Sequence, residues 1–290
     1  MKLLMENWRQ FVNESDAEDA FVRGQNLGLE EFTSLLKQIA SDPEFRKLAF
    51  AGRKDAGGPA DEAISVQEGT PVAAIDLTPT QMDIDTNKSL GDQMTNKYNA
   101  TEAALEETVT MPSPGGRIPL LVFENKYILD GHHRWSQVLM TNPQGKMTVS
   151  NLTSPAFGTG PEGAERALKA TQLAIAALAA NVVTKSTDLN LLKLPSQQLG
   201  QYVIKNITDD VLQLLVQAGK ISQPDREEAA KYYMSNLQAV QAKPAGAFER
   251  EKGMPQADDS GVPQAQVNTA LKSGNINFND PRPEDADGKK

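Results

Sequence analysis

The chain contains no cysteine. That excludes disulfide staples, thiolate metal sites and cysteine nucleophiles, and it is compatible with a reducing compartment. Histidine is nearly as scarce, since His132 and His133 are the only two in 290 residues. No apolar run reaches the ~18 residues that a membrane span needs. The opening MKLLMENWRQFVNESD carries charges where a signal peptide needs an apolar region. A cytoplasmic protein, or one packed into a particle assembled in the cytoplasm, is expected, with no membrane partner. Basic residues are outnumbered: 29 Lys and Arg stand against 38 Asp and Glu, a net charge of −9. Such a surface repels nucleic acid unless one face collects the basic residues, so a general DNA-coating role is disfavoured. The remainder is ordinary for a soluble globular protein of one or two domains, at 39% hydrophobic and 23% charged residues.

The most informative stretch is residues 120–152, LLVFENKYILDGHHRWSQVLMTNPQGKMTVSNL. The apolar pairs Leu121/Val122 and Ile128/Leu129, separated by Glu124-Asn125, predict a hairpin. Trp135, Val138 and Leu139 then switch the period from 2 to 3.6, and Met147 onward returns to strand. Where the period switches, Asp130-Gly131 turns a strand straight into a helix. The first N–H groups of a helix lack intrahelical partners, and a glycine beside them lets a ligand oxygen approach, which makes an anion site. Arg134 would add a planar fork of donors suited to phosphate, and His133 a donor that is neutral or charged near pH 7. The competing reading is structural: Arg134 as an anchor to Asp130 or Glu124, Asp130 as a helix cap, and one histidine paired with a backbone carbonyl. Adjacent helical residues point about 100° apart, so His132 and His133 do not readily share one metal ion, and no metal is assigned.

The segment GHHRW resembles the signature of the ParB/sulfiredoxin fold, whose partition-protein branch carries G-E-R-R-W and whose sulfiredoxin branch carries G-C-H-R. Gly131, Arg134 and Trp135 match the first; Gly131, His133 and Arg134 match the second. The flank VAAIDLTPTQMDIDTNKSL, from Val72, looks like the first strand and loop of ParB-like proteins of tailed bacteriophages. The resemblance covers roughly residues 70 to 155. It implies a small mixed sheet with short helices and a nucleotide triphosphate, ATP or CTP with Mg²⁺, held by Asp130, Gly131, His133 and Arg134. It further implies catalytic roles for His132 and His133 and for the loop carboxylates Asp83 and Asp85, whose alternative is to be solvated acids capping the next helix. Sulfiredoxin activity is excluded, because His132 stands where that branch has its reactive cysteine.

In chain order, residues 1–50 read as N-terminal helices, with Leu4, Trp8 and Phe11 on one stripe and Phe32, Leu35, Leu36 and Ile39 on another. Residues 51–70 read as a linker and residues 71–155 as the ParB-like domain. Within that domain, strands near 72–77, 120–123, 126–129 and 147–152 are expected to share a sheet, a helix to run from 89 to 107, and residues 111–116 to form a loop over the site. Residues 161–243 read as a strand-free helical bundle, with N-caps at Ser196 and Thr208, a helix end at Gly219 and a last helix opened by Ser222-Gln223-Pro224-Asp225. The tail, 244–290, is Pro-, Gly-, Asn- and Asp-rich and reads as poorly ordered. Protein partners are expected at the N-terminal stripe and the tail. The fold class is therefore α+β, a ParB/sulfiredoxin-like sheet followed by helices.

No basic helix-turn-helix follows the motif, and no E-N-L-Q-R segment follows the third strand, so partition through a DNA clamp is not expected. Three uses of the corner remain. It could perform phosphoester chemistry as a ParB-like nuclease, another hydrolase such as an NTPase, or a phosphotransferase. It could bind a nucleotide to arrange the helices. Or it could belong to a non-catalytic phage structural or interaction protein, in host cytoplasm or virion, that kept the fold alone.

Overall fold

A computed structural model describes residues 31–32, 34, 36, 65–113, 116–154, 157–178, 182–183, 189–243 and 256–257. Leu4, Trp8, Phe11, Leu35 and Ile39, the stretch 51–64 and nearly all of the tail lie outside the described residues. The chain forms two compact units: Gln67–Leu152 with Lys185–Lys252, and Met1–Val66 with Thr153–Thr184 and Gly253–Lys290. The fold is α+β, a mixed sheet with seven α-helices among the described residues.

The sheet comprises β1 (Ser65–Ala73), β2 (Thr78–Pro79), β3 (Thr108–Val109), β6 (Leu120–Phe123), β7 (Tyr127–Asp130) and β8 (Lys146–Thr153), in the order β1-β8-β6-β7-β2 with β3 beside β8. The hairpin β6-β7 is antiparallel, whereas β8 joins β6, and β2 joins β7, in parallel. The hairpin turn is what its sequence requires. Glu124 and Asn125 both take positive φ, 53° and 51°, and Lys126 N donates to Phe123 O at 3.0 Å. Two successive positive φ values closed by that bond make a twist-matched turn, and pairing resumes at Phe123–Tyr127 with Lys126 outside the ladder. The loop expected at 111–116 contributes a small separate hairpin, β4 (Pro112–Ser113) with β5 (Gly116–Arg117).

Two expectations for this region need correction. The strand placed at 72–77 is divided: β1 starts at Ser65, inside the stretch read as linker, ends at Ala73, and gives way to a 3-10 turn, Ala74–Asp76, before β2. The helix placed at 89–107 is two helices, α1 (Thr86–Met94) and α2 (Ala100–Ala104). Asn96, Tyr98 and Asn99 between them have positive φ. Asn96 Oδ1 accepts from Thr101 N at 3.0 Å and Glu102 N at 3.2 Å, so the asparagine restarts the helix rather than continuing it.

The helix α3 (His132–Thr141) occupies the centre of the larger unit; every residue from Trp135 to Thr141 is buried. Leu120, Val122, Ile128 and Val149 on the sheet meet Trp135, Val138 and Leu139 in one apolar cluster. The helices α5 (Ser196–Asn206), α6 (Asp209–Gln217) and α7 (Arg226–Gln241) join the same cluster through Leu199, Val211, Leu215, Tyr233, Leu237 and Val240. They also serve the end of α3. Asn236 Nδ2 donates to Met140 O at 2.8 Å and Tyr232 OH to Thr141 O at 2.6 Å, satisfying carbonyls that a helix C-terminus leaves open. Gly219 closes α6 at φ 66°, as expected. Asp225, the last of the four residues expected to open this helix, caps α7 by accepting from Glu228 N at 2.8 Å.

The smaller unit contains α4 (Gly160–Leu178), with Ala164, Ala167 and Leu168 buried. Phe32 and Leu36 are buried, and Lys169 Nζ lies 5.7 Å from the Phe32 ring centroid. Val182–Val183 forms a strand, β9, antiparallel to β10 (Gln256–Ala257). Residues 161–243 are therefore not strand-free, and their helices are divided between the units.

Candidate functional site

The corner is built by one glycine. Gly131 has φ 100° and ψ 20°, a left-handed conformation, and it stands between the end of β7 and the first residue of α3. A Cβ there would lie 2.5 Å from Leu120 Cδ2 and 2.8 Å from Arg134 Nη2, so both conformation and space demand glycine. The N-cap position of α3 is Gly131 itself, which has no side chain to cap with, and the Asp130 carboxylate stands at the rim, 37% exposed. A helix start carries partial positive charge from its oriented N–H groups and favours an anion.

Each neighbouring side chain is engaged with the protein itself. His132 is buried, and its Nε2 accepts from Thr80 N at 3.1 Å, with Thr80 Oγ1 3.3 Å away. Thr80 Oγ1 in turn donates to Ile128 O at 2.5 Å, so this histidine fixes the start of the loop after β2 against β7. His133 is half-buried, and its Nε2 accepts from Asp85 N at 3.3 Å. Both rings therefore present Nε2 as an acceptor, the neutral form. They point to two places on one loop.

Arg134 lies against Gly131 and is engaged by the chain itself. Its Nη1 donates to Ile118 O at 2.5 Å and lies 3.4 Å from Pro119 O, while Nη2 stands 3.8 Å from Asp130 Oδ2. Only 11% of the side chain is exposed. Burial pushes the guanidinium below its ordinary pKa, and the Asp130 carboxylate partly holds it up. The arginine ties the residues entering β6 to the corner, and Asp130 supplies the carboxylate expected of an anchor. Glu124 is in the hairpin turn.

Asp85 caps α1, accepting from Lys88 N at 2.9 Å, which is the structural alternative considered for it. Asp83 Oδ1 accepts from Asn190 Nδ2 at 2.5 Å. Asn190 also reaches Met82 O at 3.0 Å, Ile84 N at 3.1 Å and Leu192 N at 3.0 Å. Its backbone forms an isolated antiparallel bridge with Asp85, and it holds the segment before α5 to the loop at 82–86. Nothing in the sequence marks Asn190; its significance depends on a partner more than a hundred residues earlier. We expect Asn190→Ala to cost about 1–2 kcal/mol in urea denaturation, because half-buried groups lose their partners but remain reachable by water. A change below ~0.3 kcal/mol would show that water replaces the amide fully.

The loop at 80–85 thus meets the amino end of α3 through both histidines, bringing Asp85 to His133, while Arg134 and Asp130 lie toward β6. Among the described residues no group of three His, Asp or Glu side chains is placed to hold a metal ion. No helix among the described residues is long and apolar enough to cross a membrane. No protein-family model matches the chain, and no curated protein or solved structure matches it either.

Proposed function

We propose that the chain carries a ParB/sulfiredoxin-like domain that binds a phosphate group, as part of a nucleotide, at the Asp130–Arg134 corner. The observation that carries the reading is the passage of β7 through left-handed Gly131, a glycine N-cap, straight into α3. The order of elements supports it: hairpin, glycine corner, helix, then a strand parallel to the first strand of the hairpin. The amino end of α3 would hold the phosphate, His133 would flank it, and His132 and Arg134 would position the loop and the corner. Asp130 adds negative charge at the rim, so a triphosphate would bind best with Mg²⁺ to offset it. Phosphoester hydrolysis or transfer, as in a ParB-like nuclease or a nucleotide-dependent phosphotransferase, is the chemistry such a site would serve. The scaffold reading, a phage structural protein that kept the fold, draws on a different observation. The arginine and both histidines are all bonded to the chain's own backbone.

Titration calorimetry of the full chain with ATP, CTP and GTP, with and without Mg²⁺, separates the two. Saturable heat with one of them, lost in the presence of excess pyrophosphate, is the expected result. No heat with any nucleotide under either condition would leave the scaffold reading standing.

A further inference from the structure

The bond between His133 and Asp85 joins two structural devices that the corner alone does not require. Asp85 is the N-cap of α1, its carboxylate accepting from Lys88 N at 2.9 Å. Its own N–H goes to His133 Nε2 at 3.3 Å. The loop end, the start of α1 and the start of α3 therefore meet at one imidazole nitrogen. That nitrogen accepts only while it carries no proton, and an ordinary imidazole gains one between about pH 7.5 and 5.5. A backbone N–H has no other role than donor. Once Nε2 is protonated, two donors face each other, and the contact must open.

We propose that His133 is a proton-operated latch on one amide: neutral, it holds the Asp85 N–H against the amino end of α3; protonated, it frees that N–H while the bonds of Ile84 and Thr86 to the segment at 189–191 stay closed. The inference concerns the loop and does not depend on nucleotide binding. Several charged groups on the elements packed there bear on the titration. The loop brings Asp83, fixed by Asn190, and Asp85 itself. The start of α1 carries Lys88, and Asp92 follows one turn on. The corner carries Asp130 and Arg134, the segment before α5 carries Lys193, and Tyr202 on α5 feels the charges of Asp85 and Asp92. The carboxylates favour the imidazolium, and Lys88, Arg134 and Lys193 oppose it. The other end of the loop is held independently by Thr80 on buried His132, and its middle by Asn190. Thr86, the next residue, stays on Leu189 O through its N–H at 2.9 Å and its hydroxyl at 2.7 Å, and α1 stays on α3 through Gln137 Nε2 to Lys88 O at 3.3 Å, so release is confined to the Asp85 amide and the domain need not unfold.

The test is a pH titration of the full chain by nuclear magnetic resonance from pH 7.5 to 5.0, above the range in which ordinary carboxylates titrate. It follows the imidazole nitrogens together with amide exchange corrected for intrinsic rate. Asp85 N–H should lose protection at least tenfold with the same midpoint as His133 protonation. Trp135 N–H, bonded to Gly131 O at 2.9 Å, should not change. In His133→Gln, whose side-chain oxygen can accept at the Nε2 position without titrating, Asp85 protection should become independent of pH. Three results would each overturn the latch: His133 protonating with Asp85 protection unchanged, His133 remaining neutral to pH 5.0, or the response persisting in His133→Gln.

Discussion

Trp135→Ala is expected to lower the stability of the larger unit by about 3–5 kcal/mol, the usual cost of deleting a large buried aromatic side chain. Trp135 has no exposed surface and is among the largest fully buried side chains. Its ring joins the face of the sheet to the helices, in the first turns of the helix that both surround. Its indole Nε1 also donates to Ala74 O at 2.9 Å, in the 3-10 turn that diverts the chain from β1 to β2. The substitution would thus leave a cavity and an unpaired carbonyl together. Against a total of about 5–15 kcal/mol for a typical domain, that is a large fraction. Trp135→Phe keeps most of the volume and loses the donor, so it should cost about 1–2 kcal/mol. Urea denaturation followed by circular dichroism measures both. A loss under ~1 kcal/mol for the alanine variant would mean that the indole does not hold sheet and helices together.

The elements that could be read from the sequence are those whose causes are local. Glu124-Asn125 between two apolar pairs gives a hairpin because both residues tolerate the positive φ that reverses the chain with the twist of the strands. Asp130-Gly131 gives a corner because glycine alone adopts φ 100° there without strain. The spacing of Trp135, Val138 and Leu139 gives the buried face of α3, and Gly219 ends α6. The failures are equally physical. Leu90, Met94 and Tyr98 keep a helical spacing, yet Tyr98 is 44% exposed and lies in a left-handed turn, because Asn96 caps a new helix. Val182 continues an apolar stripe, but its backbone pairs with Gln256–Ala257, a partner that no local pattern announces.

The same division runs through the candidate site. Residue types at 130–134 show that donors and a helix start coincide; they do not show which way the donors face. For His132 and His133 the direction is set by Thr80 and Asp85, about fifty residues earlier. For Asp83 it is set by Asn190, far along the chain in the other direction. A histidine read as a ligand donor and one that accepts a backbone N–H have the same sequence signature. The loop at 80–85, whose sequence advertises only its carboxylates, contributes two backbone amides to the imidazoles.

Arg134→Ala is expected to cost about 3 kcal/mol of stability, and this reverses what the sequence pattern suggests for a guanidinium waiting at a phosphate site. Trimming an exposed arginine changes stability by less than ~0.5 kcal/mol. Here the side chain is 11% exposed, donates to Ile118 O at 2.5 Å and faces Asp130 at 3.8 Å. A hydrogen bond from a charged group contributes roughly 1.5–3 kcal/mol, and the carbonyl left behind adds a desolvation cost. Arg134→Lys keeps the charge but loses the planar fork that holds the Ile118 carbonyl while facing Asp130. It should recover only part of the loss. Urea denaturation of both variants reads the stability, and nucleotide titration of the fraction that remains folded at low temperature reads the site. If the corner binds phosphate through the amino end of α3, folded Arg134→Ala should retain binding within about threefold. Unchanged stability with binding weakened more than tenfold would mean that the guanidinium swings out to the ligand, and that its bond to Ile118 belongs to the unliganded state alone.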